Sequence, residues 1–306
     1  MRGYIANTDY EWYRYLSTQG DLPEVNFWRP SDRRAVRAID PGSPFFFKLK
    51  RPHNAVAGFG FYSRHSVLPA WLAWETFGPA NGAADFATMR ERIERLRKTG
   101  VSDPHGDYQI GCLMIAEPTF FGPHEWVKAP SDFHPSIQQG TTYDLGQGEG
   151  KRLWEECLSR ARSRRAVELM EEARRYGTPM TVLPRLGQGI FRISVTDAYG
   201  RACAVTTEHS LPALEAAHIR PYSEGGEHKV SNGLLLRSDI HRLFDKGYVT
   251  VTPDYRFLVS RRLKTDFDNG RTYFPYDKRS ISVPRDLADR PDPELLQWHS
   301  SERFLG

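Results

Sequence analysis

The stretch Leu214–Asp245 reads LEAAHIRPYSEGGEHKVSNGLLLRSDIHRLFD, and its reading decides the fold of the region around it. One apolar run, Leu214 to Ile219, carries His218 near its end, and a second, Leu234–Leu235–Leu236, follows Asn232. Between them sits Gly225–Gly226, the residue type that frees a loop from the usual backbone limits. Ser238–Asp239 then opens a segment with Ile240, Leu243 and Phe244 at helical spacing. Two short strands, a loop and a capped helix make a ββα unit. Thirteen residues separate His218 from Asn232 and eight separate Asn232 from His241. In a ββα unit these three polar side chains face one another across the hairpin and the helix.

That grouping suits phosphodiester hydrolysis, which takes a base to strip a proton from water and a cation to stabilise charge on the phosphate. A neutral imidazole at a strand end can be the base, since its ordinary pKa lies near working pH. A second imidazole on the facing helix can hold a divalent metal. The amide of Asn232 can pin the loop by hydrogen bonds and keep the His aimed.

These residues resemble an HNH (ββα-metal) nuclease. The resemblance makes His218 the general base, Asn232 the loop-ordering residue and His241 a metal ligand, with Mg²⁺ or Mn²⁺ as the ion. Many HNH enzymes carry an Asp or His ligand just before the base, and here that position is Ala217. Glu215 is the candidate second ligand, with Asp239 and Asp245 the other carboxylates nearby.

At 306 residues the chain suits two domains, and its 39% hydrophobic and 26% charged residues are globular values. The formal net charge of +4 is mild, yet the arginines cluster, which suits a partner bearing phosphates. Cys112, Cys157 and Cys203 lie far apart with no metal-binding spacing, pointing to a reducing compartment. MRGYIANTDYEWYRYL at the start has no signal-peptide pattern, and no stretch has the length of a membrane span. A cytoplasmic protein with no membrane partner is expected.

The first half alternates short apolar runs with turns. Tyr4–Ala6, Asn26–Pro30, Pro44–Leu49, Val56–Tyr62 and Gly111–Ala116 read as strands; Asp9–Leu16, Ala70–Phe77 and Phe86–Lys98 read as helices. Strands wrapped around a few helices predict a small mixed barrel. Most of its dense aromatics belong to the core. Trp28, between Asn26 and the Arg29–Pro30 turn, sits among polar groups, as an aromatic that stacks on an extruded base would.

YIAN (4–7), NFWRPS (26–31), FFFKLKRPHNAVAGFGFYS (45–63) and IGCLMIAEPTFF (110–121) together resemble the EVE branch of the PUA-like superfamily, related to the YTH and SRA-type modified-base readers. That resemblance implies an aromatic-walled pocket for a flipped modified base, drawing on Asn26, Trp28, Tyr62 and Trp74.

From Gly150 to Tyr176 a stripe of Leu153, Trp154, Cys157, Leu158, Ala161, Leu169, Met170 and Ala173 predicts helix. Arg160, Arg162, Arg164, Arg165, Arg174 and Arg175 crowd its other side, so it reads either as a solvated connector or as one that touches a phosphate backbone. Further on, Phe191–Val195 with Cys203–Thr206, and Tyr248–Val251 with Arg256–Val259, read as hairpins. Arg261, Arg262 and Lys264 form a candidate DNA-backbone edge, and Trp298–His299 a packing anchor.

The fold class is thus α+β: an EVE/PUA-like mixed β-barrel reader (1–148), a helical connector (149–184) and a ββα-metal HNH domain (185–306). The combination resembles a modification-dependent restriction endonuclease acting on double-stranded DNA that carries 5-methyl- or 5-hydroxymethylcytosine. One HNH site cuts one strand, so double-strand cleavage takes two copies, a homodimer or two proteins on one site. Two other readings stay open: a nicking or homing-type HNH nuclease on unmodified DNA, and a non-catalytic reader with a decayed HNH fold.

Overall fold

The computed structural model describes residues 1–30, 39–97, 102–161, 186–268 and 270–306. The chain divides into two compact units, Met1–Ile190 and Phe191–Gly306.

The first unit begins with β1 (Arg2–Thr8), α1 (Tyr10–Leu16), β2 (Glu24–Arg29), β3 (Pro44–Leu49), β4 (Ala55–Pro69) and α2 (Ala70–Phe77). It continues with α3 (Phe86–Arg97), β5 (Gln109–Phe120), β6 (Val127–Lys128), β7 (Gly140–Asp144) and α4 (Gly148–Arg160). Asp9 starts α1 by accepting hydrogen bonds from the backbone N–H groups of Glu11 and Trp12. β4 and β5 run well past the expected apolar cores because they pair along Gly58–Pro69 and Gln109–Phe120. Their polar residues are carried by the ladder.

The sheet order is β2-β5-β4-β3-β1-β7, with β6 on β4. β1 and β3 are parallel, and the other pairs are antiparallel. The mixed α+β character is as the sequence implies. Among the described residues no pairing of β2 with β7 closes the sheet into a barrel. Both faces are covered, so β3 is buried throughout, Lys48 included. Phe45 and Phe47 pack with Trp12, Tyr13 and Leu16 of α1, whereas Phe46 packs with Leu153, Trp154, Cys157 and Leu158 of α4. The start of the expected connector is therefore a core helix of this unit. Arg162, Arg164, Arg165, Arg174 and Arg175 lie outside the described residues.

The second unit corrects two expectations. Phe191–Val195 is not a strand but part of α5 (Gln188–Ala198), and Cys203–Thr206 is a turn. Its β-branched residues favour strand locally. Burial wins: Phe191, Val195 and Tyr199, at helical spacing, enter one cluster with Leu214, Leu234 and Leu235. A side chain on Gly233 would collide with Val195, so this glycine lets α5 lie close on the hairpin.

The ββα unit is β8 (Leu214–His218), β9 (Gly233–Arg237) and α6 (Ser238–Asp245), with Leu214 opposite Arg237 and His218 opposite Gly233. The cap expected at the start of α6 is absent: Arg237 holds the N-cap position and makes no side-chain cap. β10 (Val249–Val251) and β11 (Phe257–Val259) form the second hairpin, followed by α7 (Arg262–Phe267) and α8 (Pro293–Glu302). His299 of α8 is buried, stacked on Phe244 with ring centroids 3.7 Å apart and hydrogen-bonded to Thr250 Oγ1 at 2.8 Å, a packing anchor as expected. Cys112, Cys157 and Cys203 are buried free thiols. No helix among the described residues is long and apolar enough to cross a membrane.

Candidate active site

β8 ends on His218, where the chain turns away through Arg220–Pro221. The ring of Phe191 lies flat against the imidazole, centroids 3.9 Å apart and planes 12° from parallel. Burial, reinforced by the charges that His228 and His241 can carry, pushes the pKa of His218 down to about 4. The imidazole is therefore neutral across the physiological range and able to accept a proton.

Asn232 closes the loop after β8. Its Oδ1 accepts the backbone N–H of Arg220 at 2.9 Å, and its Nδ2 donates to the carbonyls of Arg220 and Glu227, both at 2.9 Å. Three such bonds at roughly 1 kcal/mol net each hold the two loop ends together. Gly226 is needed where the loop crosses itself, because a Cβ there would strike the Arg220 carbonyl.

His241 projects from α6 between two carboxylates. Glu215 Oε2 lies 2.7 Å from Nδ1, and Asp245 Oδ2 lies 3.4 Å from Nε2. The short contact fixes the tautomer: Nδ1–H donates to Glu215, leaving Nε2 as a bare lone pair. At 3.4 Å Asp245 is beyond a normal hydrogen bond from that nitrogen. Burial raises the pKa of Asp245, with Glu215 adding to the rise and His241 opposing it. Among the described residues no group of three or more His, Cys, Asp or Glu side chains is arranged to hold a metal. The two carboxylates take opposite ring nitrogens and do not converge.

What fits an ion here is the edge formed by His241 Nε2 and Asp245. Mg²⁺ and Mn²⁺ accept hard oxygen with imidazole, and Mg²⁺ commonly takes only one or two protein carboxylates besides waters and substrate phosphates. Glu215, expected as a ligand, is here hydrogen-bonded to Nδ1 of His241. Asp239 is committed elsewhere: Arg237 grips it at 2.6 and 2.7 Å and holds its carboxyl down to about 2, while Tyr273 donates to it at 3.0 Å. Ala217, before the base, is fully buried in the core.

His228 is the residue that the sequence reading missed. Its Nδ1 lies 3.0 Å from His218 Nε2. It belongs to the loop of the quoted stretch, and no periodicity marks it. Arg261, Arg262 and Lys264 are exposed around buried Leu263 on α7, with Arg262 paired to Asp266 at 3.0 Å.

In the first unit Asn26 and Trp28 meet on Asn81. Asn26 is wholly buried, its amide donating to Asn81 Oδ1 at 2.8 Å and Cys112 Sγ at 3.3 Å, so it braces the core rather than facing a base. Trp28 is half-buried and its indole N–H donates to the Asn81 carbonyl at 2.9 Å. Tyr62 is buried in the cluster against which Trp28 packs, whereas half-buried Trp74 lies outside that cluster, its ring 6.3 Å from that of Phe86. Asn81, in the turn after α2, also donates to the carbonyls of Ala73 and Gly78. An Asn beside Gly and Pro signals such a turn but not its partners.

Residues 203–252 match the HNH_2 family, described as HNH endonuclease. A search of curated proteins finds no match. Among solved structures the chain is similar to a point mutant of ZmASCH from Zymomonas mobilis, with 11% identity, 49% of this chain and 94% of that chain covered and a TM-score of 0.33. It is also similar to the modification-dependent TagI restriction endonuclease, with 13% identity, 99% and 81% covered and a TM-score of 0.28. The family match spans the whole ββα unit and β10, so the chain carries an HNH endonuclease domain and is a metal-dependent DNA endonuclease.

Proposed function

We propose that this protein hydrolyses phosphodiester bonds of double-stranded DNA with His218 as general base, and that its first unit selects DNA carrying 5-methyl- or 5-hydroxymethylcytosine. The carrying observation is the pairing of two differently prepared imidazoles in one ββα unit. His218 is kept neutral by burial, and His241 is turned by Glu215 so that its bare nitrogen lies beside Asp245. His218 takes the proton of a water, Asn232 keeps the strand end that carries it in place, and His241 with Asp245 holds Mg²⁺ or Mn²⁺. The ion, when bound, neutralises charge on the phosphate and leaving oxygen. Arg261, just before α7, and Lys264, on it, are exposed and suited to the DNA backbone. One site cuts one strand, so a break in both strands takes two copies.

Incubation of plasmid with the protein and Mn²⁺ or Mg²⁺ tests the hydrolysis. Methylated plasmid should be nicked or linearised faster than unmethylated plasmid, and chelator should stop both. Equal cutting of the two plasmids removes the modification reading and leaves a nuclease on ordinary DNA.

Trp28 is the residue through which selection is proposed to act. Its indole is half-buried at the edge of the aromatic cluster, with its N–H already satisfied, so the ring offers stacking and not a hydrogen bond. Stacking of this kind contributes about 1–3 kcal/mol per base. Trp28→Ala should therefore erase a preference of roughly ten- to a hundredfold for modified DNA, leaving salt-sensitive nonspecific binding intact. Affinity and melting temperature are measured on the same variant. A stable variant that still prefers modified DNA moves the pocket elsewhere.

A further inference from the structure

We propose that His228 is a positioning residue for His218: it accepts the hydrogen bond from His218 Nε2–H, leaves Nδ1 as the basic nitrogen, and takes up the displaced proton. This inference rests on His218 being the general base.

The geometry is a stack of four rings. Phe191 lies flat on His218, His228 meets His218 edge-on with centroids 5.0 Å apart, and Tyr222 lies flat on His228 at 5.0 Å and 9°. Tyr222 is 65% exposed, so the stack runs from the core of the second unit to its surface. Two nitrogens 3.0 Å apart share one proton, and one ring must donate. Were His228 the donor, Nε2 of His218 would be engaged and Nδ1 would carry the hydrogen, leaving no basic nitrogen. As donor through Nε2–H, His218 keeps a bare Nδ1, which has no hydrogen-bond partner among the described residues.

The proton transfer then balances. An O–H bond of water breaks, its electron pair stays on the oxygen that attacks phosphorus, and a new N–H bond forms at Nδ1 of His218. The Nε2–H bond of His218 breaks, its pair returns to the ring, and that proton joins Nδ1 of His228. Positive charge passes from the half-buried His218 ring to the ring next to exposed Tyr222. The other groups around His218 are the Phe191 ring and His241 with Glu215 and Asp245 against it, whereas the Arg220 guanidinium lies over the Trp298 ring. His228 alone among these is hydrogen-bonded to the imidazole.

Three measurements test this. In the metal-free protein, NMR of the imidazole nitrogens should show His218 as the Nε2–H tautomer, and the Nδ1–H tautomer overturns the proposal. His228→Phe keeps a ring against Tyr222 but removes the acceptor. It should lower kcat roughly a hundredfold with DNA affinity and melting temperature unchanged. The acid limb of its pH–rate profile should move to lower pH, because the acceptor that supports a proton on His218 is gone. His228→Asn restores an acceptor and should recover part of the rate. Wild-type cleavage by His228→Phe with an unmoved acid limb overturns the relay while the base assignment stands. Full activity of His218→Ala overturns both. Should the Phe variant not fold, the wild-type tautomer and the Asn variant decide.

Discussion

His218→Ala lowers the rate of DNA cleavage by roughly two to four orders of magnitude, the usual scale of general-base catalysis. DNA binding survives the change, because affinity for DNA rests on phosphate contacts and His218 carries no charge at neutral pH. The fold survives as well, since the ring is only half-buried and Phe191, which covers it, is packed by Val195 and the β8–β9 hairpin. Single-turnover cleavage and equilibrium binding on the same preparation separate the two effects. The wild-type pH profile carries a second signature. A base with pKa lowered to about 4 is neutral above that pH and becomes charged only below it. Activity should therefore hold from neutral pH down to roughly pH 5 and fall as pH drops through about 4. A limb near the ordinary imidazole value of about 6.5 would mean that a more exposed group is titrating. Cleavage by His218→Ala at the wild-type rate would remove it as the base.

Removing the ion abolishes cleavage, and three variants rank the residues that hold it. His241→Ala deletes the nitrogen donor and should weaken Mn²⁺ binding by more than the roughly 10–100-fold that loss of an orienting partner costs. Asp245→Asn deletes the charged oxygen beside Nε2 and should follow closely. Glu215→Gln keeps a side chain against Nδ1 but loses the charge that fixes the tautomer, so it should fall within that 10–100-fold range. Mn²⁺ titration by calorimetry or electron paramagnetic resonance reads these affinities without reference to activity. If Glu215→Gln weakens binding more than Asp245→Asn, the roles of the two carboxylates are exchanged. Chelation should leave the melting temperature nearly unchanged, because the core beneath α6 is built from Ile240, Phe244, Leu234 and Leu235 and needs no metal.

The ββα unit was legible because its signals are local. Two apolar runs, a double-glycine loop and a helical repeat of Ile240 and Phe244 each act over a few residues, where backbone preference and burial agree. The aromatic strands of the first unit were legible for the same reason, since a run such as PFFFKL suits a strand with both faces covered. Residues 188–198 were not, because their β-branched side chains favour strand while the cluster that buries Phe191 and Val195 comes from residues far along the chain. Asn26 read as a pocket residue beside Trp28, yet Asn81 and Cys112, distant in sequence, enclose it. The site divides in the same way. The sequence by itself determined which residue types stand in the ββα unit and which strand, loop or helix carries His218, Asn232 and His241. Only the tertiary structure decided that His228 meets His218, that Glu215 takes Nδ1 of His241 and that Asp245 lies at Nε2. Side-chain partners across a loop depend on where two separate backbones cross, and a hydrogen bond is made or lost within a few tenths of an ångström.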